Sequence, residues 1–345
     1  MPQIKVLVVD DSLLMQKVIS DILQVDTQIS VIGTARNGRE ALSKVASLRP
    51  DVVTMDIEMP FMNGLTATKK IMETYPTPVV MVSTLTQREA KITLKALEFG
   101  AIDYVPKPGG NISLNLDSAS QELVSKIKTA AQVQVRKSSF QRDPEQQTPE
   151  EKFEMRSCDR IIAIAASTGG PQALTRILVK LPHNIPPTLV VQHMPEGFTR
   201  IFAEGLGEEC RFGVKEAEEG DKLSEGLALI APGDFHMRVT GGDRIHLSKD
   251  APVNFVRPSA DPTLISVAEV FGPKVIGVIL TGMGNDGAKG ITAIKQKGGQ
   301  TIAQDEKTSI VFGMPKAAIA TGCIDIVSPL ERVSEEIVRI CERAR

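Results

Sequence analysis

The sequence predicts two α/β domains in tandem, each built on a mainly parallel sheet. Three observations predict this. Short β-branched runs alternate with helix-period segments on both sides of the chain's midpoint. Those runs are apolar throughout rather than every second residue, as strands covered on both faces are. The alternation breaks once, over 136–157 (RKSSFQRDPEQQTPEEKFEMRS), where Phe140, Phe153 and Met155 are the only strongly apolar residues and Pro144 and Pro149 interrupt any helix. The division is therefore a first domain over 1–135, a linker over 136–157 and a second domain over 158–345. The 345 residues fit two domains at roughly 150 residues each.

In the first domain IKVLVVDD precedes SLLMQKVISDIL, ISVIGTA precedes GREALSKVASL, and DVVTMDI precedes LTATKKIMETY. PVVMVS then precedes REAKITLKALEFG, and DYVPKP precedes a polar-to-helical stretch ending near Val135. That is a five-stranded, doubly wound parallel sheet. In the second domain RIIAIAAS, TLVVQH, KVIGVILTG, QTIAQD and CIDIVS read as strands. PQALTRILVKL, GFTRIFAEGL, PTLISVAEVF, GAKGITAIKQKG and PLERVSEEIVRICERAR read as helices. HMRVTGGDRIHLS holds two alternating runs joined by Gly241-Gly242, the signature of an antiparallel hairpin.

Composition excludes several functions. Hydrophobic residues are 42% and charged residues 24%, and the net charge is −2, so the chain is neither disordered nor a polyelectrolyte binder. Residues 1–135 hold 14 basic and 14 acidic side chains and 158–345 hold 21 and 23, so neither domain has the footprint of a nucleic-acid module. No apolar run approaches the ~18 residues of a membrane span. The start, MPQIKVLVVDDS, sets two acids directly after a short apolar run, unlike a secretory leader. Cys158, Cys210, Cys323 and Cys341 form no CxxC pair, which speaks against zinc or a disulfide framework and for a reduced, cytoplasmic setting.

In open parallel sheets functional groups collect at the carboxyl ends of the strands. In the first domain Asp10 and Asp11 close the first strand, Asp56 the third, Ser83 the fourth and Lys107 the fifth. Three converging carboxylates repel one another, and a divalent hard cation such as Mg²⁺ relieves that repulsion. Asp56 is then a nucleophile toward a phosphoryl group, with Lys107 and the Ser83 hydroxyl on its oxygens. Taken singly, Asp11 and Ser12 also read as helix N-caps; the full set on separate strand ends favours a site. With Tyr104 and Pro108 added, these residues resemble the receiver domains of two-component response regulators over about 1–125. The resemblance implies phosphorylation of Asp56 by a phosphohistidine on a sensor kinase, with Mg²⁺ held by Asp10, Asp11, Asp56 and the Glu58 main-chain carbonyl. It also implies a cis Lys107-Pro108 bond and Ser83 and Tyr104 as the switch pair.

In the second domain AIAASTGGPQAL runs from strand through a Gly-rich turn to a helix with Pro171 in its first turn. Either the glycines admit a phosphate to the helix N-terminus, or Ser167 is a nucleophile on a sharp turn. The absence of GxGxxG and GxxxxGK[ST] weakens the first; the absence of GxSxG removes the usual α/β-hydrolase elbow from the second. A base is needed. His183 sits in a Pro-rich loop on the wrong sheet edge, His246 on an exposed hairpin position, and His236 at the hairpin start, where it remains possible. His193 ends the TLVVQ strand on the same edge as Ser167 and is the best base. Asp286, after the buried strand and Gly-rich turn of VIGVILTGMGNDGAKG, supplies the orienting acid. Its alternative is an N-cap for the helix that follows, but Gly282, Gly284 and Gly287 indicate close backbone approach.

ASTGGP, VVQHMP, APGDFHM, VRPSADP and LTGMGNDGAKG, in that order, resemble the chemotaxis protein-glutamate methylesterase (CheB) family over about 158–345. The receiver and linker complete the same arrangement. The resemblance implies a serine hydrolase acting on glutamate γ-methyl esters of methyl-accepting chemotaxis receptors and deamidating receptor glutamines. It implies the chemotaxis histidine kinase CheA as phosphodonor, no cofactor for the ester reaction, an oxyanion site near Ser167 and Met283, and support from Thr168. The layout suggests that the unphosphorylated receiver blocks the Ser167 edge. The competing reading is a response regulator whose second domain only binds a partner or nucleotide.

Overall fold

The computed structural model describes residues 3–84, 86–108, 116–133, 135 and 158–343. The expected linker lies outside them. The chain divides into two compact units, Met1–Gln147 and Thr148–Arg345.

The first unit alternates β1 (Ile4–Val9), α1 (Leu13–Gln24), β2 (Ile29–Ala35), α2 (Gly38–Leu48), β3 (Val52–Asp56), α3 (Gly64–Thr74), β4 (Val79–Ser83), α4 (Gln87–Glu98), β5 (Asp103–Pro106) and α5 (Leu116–Ala130). The five strands are parallel in the order β2-β1-β3-β4-β5. Side chains of Ser12, Asn37, Asn63 and Thr86 accept backbone N–H bonds at the starts of α1 to α4. β1 to β4 thus each lead into a helix opened by a polar cap, and the connections share one edge. β3 and β4 are buried along their whole length.

The second unit contains β6 (Ile161–Ala166), α6 (Gly170–Leu178), β7 (Thr188–Gln192), α7 (Phe198–Glu209), β8 (Gly213–Glu216), β9 (Leu227–Ile230), β10 (His236–Thr240) and β11 (Arg244–Ser248). It continues with α8 (Ala260–Phe271), β12 (Val275–Ile279), α9 (Ala288–Gln296), β13 (Gln300–Gln304), α10 (Met314–Ala320), β14 (Ile326–Ser328) and α11 (Leu330–Arg343). Seven parallel strands run in the order β14-β13-β12-β6-β7-β9-β8, and β10 pairs antiparallel with β11 in a separate ribbon. β6, β7 and β12 are wholly buried and adjacent at the centre. β8, β9 and α10 are additional to the expected elements; each has seven residues or fewer, too few to display a period. All four cysteines are free.

One expectation is corrected. Among the described residues the cis peptide bond is Arg257-Pro258, and Lys107-Pro108 is trans. No described helix is long and apolar enough to cross a membrane.

Candidate active site

In the first unit Asp10 and Asp11 leave β1, and Asp56 closes β3. One carboxylate oxygen from each lies within 4.8 Å of the others. Asp10 and Asp56 are buried and Asp11 is exposed. Lys107 enters from the end of β5, its N–H donating to the Ser83 carbonyl at 2.8 Å. Its Nζ lies 2.8 Å from Asp56 Oδ1 and 3.0 Å from Asp10 Oδ2. Burial pushes the Asp56 carboxyl up to about 6; Lys107 offsets part of that, and the Asp10 charge adds to it. Burial opposes the charge on Lys107 too, but Asp56 and Asp10 outweigh it and hold its pKa above the usual range. One ammonium among three carboxylates leaves excess negative charge. An all-oxygen set with excess negative charge suits a hard divalent cation, so these residues fit Mg²⁺. The Glu58 side chain is exposed and pairs with Arg88 at 3.3 Å, so only its main-chain carbonyl is left for the expected metal role.

The expected switch residues are both buried. Ser83 Oγ lies 3.1 Å from Glu89 Oε2 and accepts from the Thr93 hydroxyl at 3.1 Å. Thr84 N–H donates to the same Glu89 oxygen at 2.6 Å. Lys126 donates to the Tyr104 carbonyl at 2.6 Å, and its Nζ stands 5.1 Å from the Tyr104 ring centre.

In the second unit the three candidate residues come from the three central strands. Ser167 follows β6, His193 follows β7, and Asp286 ends the turn after β12. Ser167 is clamped between its neighbours: its N–H donates to the Thr281 carbonyl at 3.0 Å, and its carbonyl accepts from Gly170 N–H at 2.7 Å and Gln192 Nε2 at 3.0 Å. His193 N–H donates to the Ala166 carbonyl at 3.2 Å, which sets the main chain after β7 beside the end of β6, next to the Ser167 turn. The turn carrying Met283 approaches closely, since a Cβ on Gly282 would stand 2.8 Å from Ser167 Cβ. Gly169 takes φ 75°, and a Cβ there would meet Ile310 at 2.8 Å. Met283 is partly exposed. Thr168 is buried, and its carbonyl accepts from the Thr281 hydroxyl at 2.9 Å.

His193 Nε2 stands 2.7 Å from Asp286 Oδ2. Burial pushes the Asp286 carboxyl up, but His193, the Ser259 hydroxyl and Ala260 N–H together more than reverse this and hold it well below the usual carboxylate range. An ionised Asp286 can only accept, so neutral His193 carries its proton on Nε2 and presents the Nδ1 lone pair.

Asp286 does not cap the helix that follows it, since α9 begins at Ala288 behind Gly287 as its N-cap, with no side-chain cap bond. It instead closes the N-terminus of α8. Oδ2 accepts from Ala260 N–H at 2.6 Å, and Oδ1 accepts from Ser259 Oγ at 2.6 Å, Asp261 N–H at 3.2 Å and Asn254 Nδ2 at 2.7 Å. Asn254 also reaches Asp261 Oδ2 at 3.0 Å. Ser259 and Asp261 lie inside the VRPSADP motif, whose residues carried no assigned role; Asn254 stands two residues before it and had no signal. His236 is buried, with Nε2 3.2 Å from the Ala251 carbonyl and Nδ1 accepting from Ser259 N–H at 3.3 Å. It braces the same helix start and is not part of the Ser167 edge. His246 is exposed, 3.1 Å from Glu219. His183 is exposed in its loop.

Comparison with known proteins places these observations. The family model described as CheB methylesterase matches residues 162–337, and that of the response regulator receiver domain matches 6–116. The chain is 53% identical, over 99% of its length and 95% of the relative's, to a protein-glutamate methylesterase/protein-glutamine glutaminase of Pyrococcus abyssi. It is 47% identical to a protein of the same name from Archaeoglobus fulgidus, over 98% of both chains. The crystal structure of the Thermotoga maritima CheB methylesterase catalytic domain superposes on 52% of this chain and 98% of its own, with a TM-score of 0.51 and 44% identity. An α/β receiver followed by an α/β hydrolase unit, matched from end to end, makes this chain a member of the CheB methylesterase family.

Proposed function

We propose that the chain is a phosphorylation-regulated serine hydrolase that demethylates glutamate γ-methyl esters on chemoreceptors and deamidates receptor glutamines, for chemotactic adaptation. The observation that carries this reading is the bond between His193 Nε2 and Asp286, beside Ser167 on the central edge of the sheet. Ser167 Oγ attacks the ester carbonyl, and His193 Nδ1 takes its proton. Ionised Asp286 keeps the other ring nitrogen protonated and stabilises the imidazolium that forms. Ser167's own N–H is committed to the Thr281 carbonyl, so oxyanion donors come from other backbone groups of the Ser167 and Met283 turns. His193 returns its proton to the departing methoxide, methanol leaves, and water cleaves the acyl-enzyme. With glutamine the same steps release ammonia. Thr168 supports the turn through its carbonyl.

Control is assigned to the receiver. Asp56 accepts a phosphoryl group from the chemotaxis kinase's phosphohistidine, and Lys107 pairs with its oxygens. Asp10, Asp11, Asp56 and the Glu58 carbonyl would hold Mg²⁺, which would neutralise negative charge there. Ser83 then leaves Glu89 for the phosphoryl group, Tyr104 follows, and this change raises the activity of the Ser167 site in the cytoplasm, where receptor helices are reached.

The test is methanol release from methylated receptor membranes by the native chain and Ser167→Ala, each with and without a small phosphodonor and Mg²⁺. Release by the native chain alone, raised by the phosphodonor, is expected. Equal release by Ser167→Ala overturns the nucleophile. Unchanged activity after deleting residues 1–150 overturns control by the receiver.

A further inference from the structure

Between the hairpin β10–β11 and α8 the chain makes a two-residue turn. Val253 and Val256 pair antiparallel, with Val253 N–H donating to the Val256 carbonyl at 3.2 Å and Val256 N–H returning the bond at 3.1 Å. The two residues between them, Asn254 and Phe255, both have left-handed backbone, at φ 53° and 64°. Turns of this shape usually take Asn-Gly, because both central residues need positive φ. Asn254 obeys that rule. Phe255 does not: a bulky residue at positive φ is strained, and Gly would relieve it.

The strain returns nothing within the fold. Phe255 is 100% exposed, so its ring buries no surface. The ring therefore removes no apolar area from water on folding, and nothing in the fold offsets the backbone strain.

The turn is also anchored to the candidate active site. The Asn254 side-chain amide donates 2.7 Å to Asp286 Oδ1, and Asp286 Oδ2 lies 2.7 Å from His193 Nε2. The tip that displays Phe255 is therefore one residue and two hydrogen bonds from the imidazole. Met283, three residues before Asp286, is a second exposed apolar side chain on this edge. A hydrolase whose substrate is a side chain on a folded protein must hold the segment around that side chain, and apolar anchors beside the reacting groups do this.

We propose that Phe255 is a substrate-docking residue: its ring packs against apolar side chains of the protein segment that carries the esterified glutamate, and the Asn254 anchor fixes that contact relative to His193. The inference rests on the esterase reading and names the surface by which that site meets its substrate. The contact uses interface burial alone, so it acts on substrate binding and leaves the bond-breaking step untouched.

The experiment measures methanol release from methylated receptor membranes over a range of receptor concentrations, using the full chain with phosphodonor and Mg²⁺. The variants are Phe255→Gly, Phe255→Leu and Ser167→Ala, and thermal unfolding is recorded for each. Phe255→Gly is expected to raise KM about tenfold at unchanged kcat, with a Tm no lower than the native chain's, and Phe255→Leu to recover KM to within about threefold. An unchanged KM in Phe255→Gly overturns the proposal. So does a fall in kcat at constant KM, which assigns the turn to positioning Asp286 alone, and so does a lowered Tm, which assigns the ring a structural role. Native-level methanol release by Ser167→Ala is a separate result: it overturns the esterase reading, and the docking proposal falls with it.

Discussion

Asp56 and Asp286 occupy equivalent places, each buried at the carboxyl edge of a parallel sheet, yet their surroundings treat charge in opposite ways. Asp56 shares its pocket with Asp10 and Asp11, and burial pushes its carboxyl up to about 6 despite Lys107. Asp286 receives two backbone N–H groups at the start of α8, the Ser259 hydroxyl, the Asn254 amide and His193. The first carboxylate is under-compensated, and the proposed phosphorylation there calls for a cation. The second is over-compensated and remains an anion throughout. Placement by the fold selects where a carboxylate stands; the donors around it decide whether it reacts or only holds.

The largest effect that sharpens this contrast is on rate. Ser167→Ala is expected to lower methanol release about 10³-fold or more, measured with phosphodonor present. Asp286→Asn is expected to lower kcat by a comparable factor at nearly constant KM, because an amide cannot hold the same imidazole tautomer. A loss confined to KM would break the assignment.

The same substitution should have opposite signs on stability in the two units. In chelator at pH 7, Asp56→Asn is expected to stabilise the first unit by about 1–2 kcal/mol, since it removes an ionised carboxylate that burial disfavours. Asp286→Asn is expected to destabilise the second by about 2 kcal/mol through lost charge-assisted bonds. Denaturant unfolding of the full chain, followed by a probe in each unit, reads both. Equal signs would break the comparison.

The pH dependence follows. Asp56 has a raised folded pKa, so between about 4 and about 6 the native state binds more protons than the unfolded one, and this group weakens the fold as pH rises through that window. Asp286 has a lowered folded pKa, so its contribution is fully present above the ordinary carboxylate value and is lost progressively as pH falls from there through the lower folded value. Each Asn variant should flatten its own unit's profile on that side, by unfolding free energy against pH. The smallest effect is expected from Asn254→Ala, a fall in kcat of about three- to tenfold, because Asp286 retains Ser259 and the α8 N–H groups. Its Tm should change little; a large fall would make Asn254 a fold residue.

Strand ends were legible because buried β-branched runs stop abruptly at polar residues, so Asp10, Asp56, Ser167 and His193 announce their edge. β8 and β9 were not legible: four residues display no period, and β9 is set by its pairing with β7 and β8 by its pairing with β9 rather than locally. Ser259 and Asn254 were hidden for a different reason. Their partner Asp286 lies 27 and 32 residues away, and a hydrogen bond across that separation leaves no local pattern. The trans Lys107-Pro108 bond shows the limit of resemblance, since a motif carries residue types but not the backbone isomer.

The neighbourhood β12-β6-β7 has a consequence for synthesis. β6 and β7 pair early in the chain, but β12 reaches β6 across more than one hundred residues, and Asp286 stands 93 residues after His193. Contacts of such separation form late, after long loops have closed. On the proposed mechanism, a nascent chain that has not reached β12 holds Ser167 and His193 without Asp286, the acid proposed to set the tautomer. On that mechanism hydrolytic power arrives only with the completed sheet, so chains that stop before β12 are expected to be inert toward the esters around them, whereas a cut in the linker leaves the second unit whole.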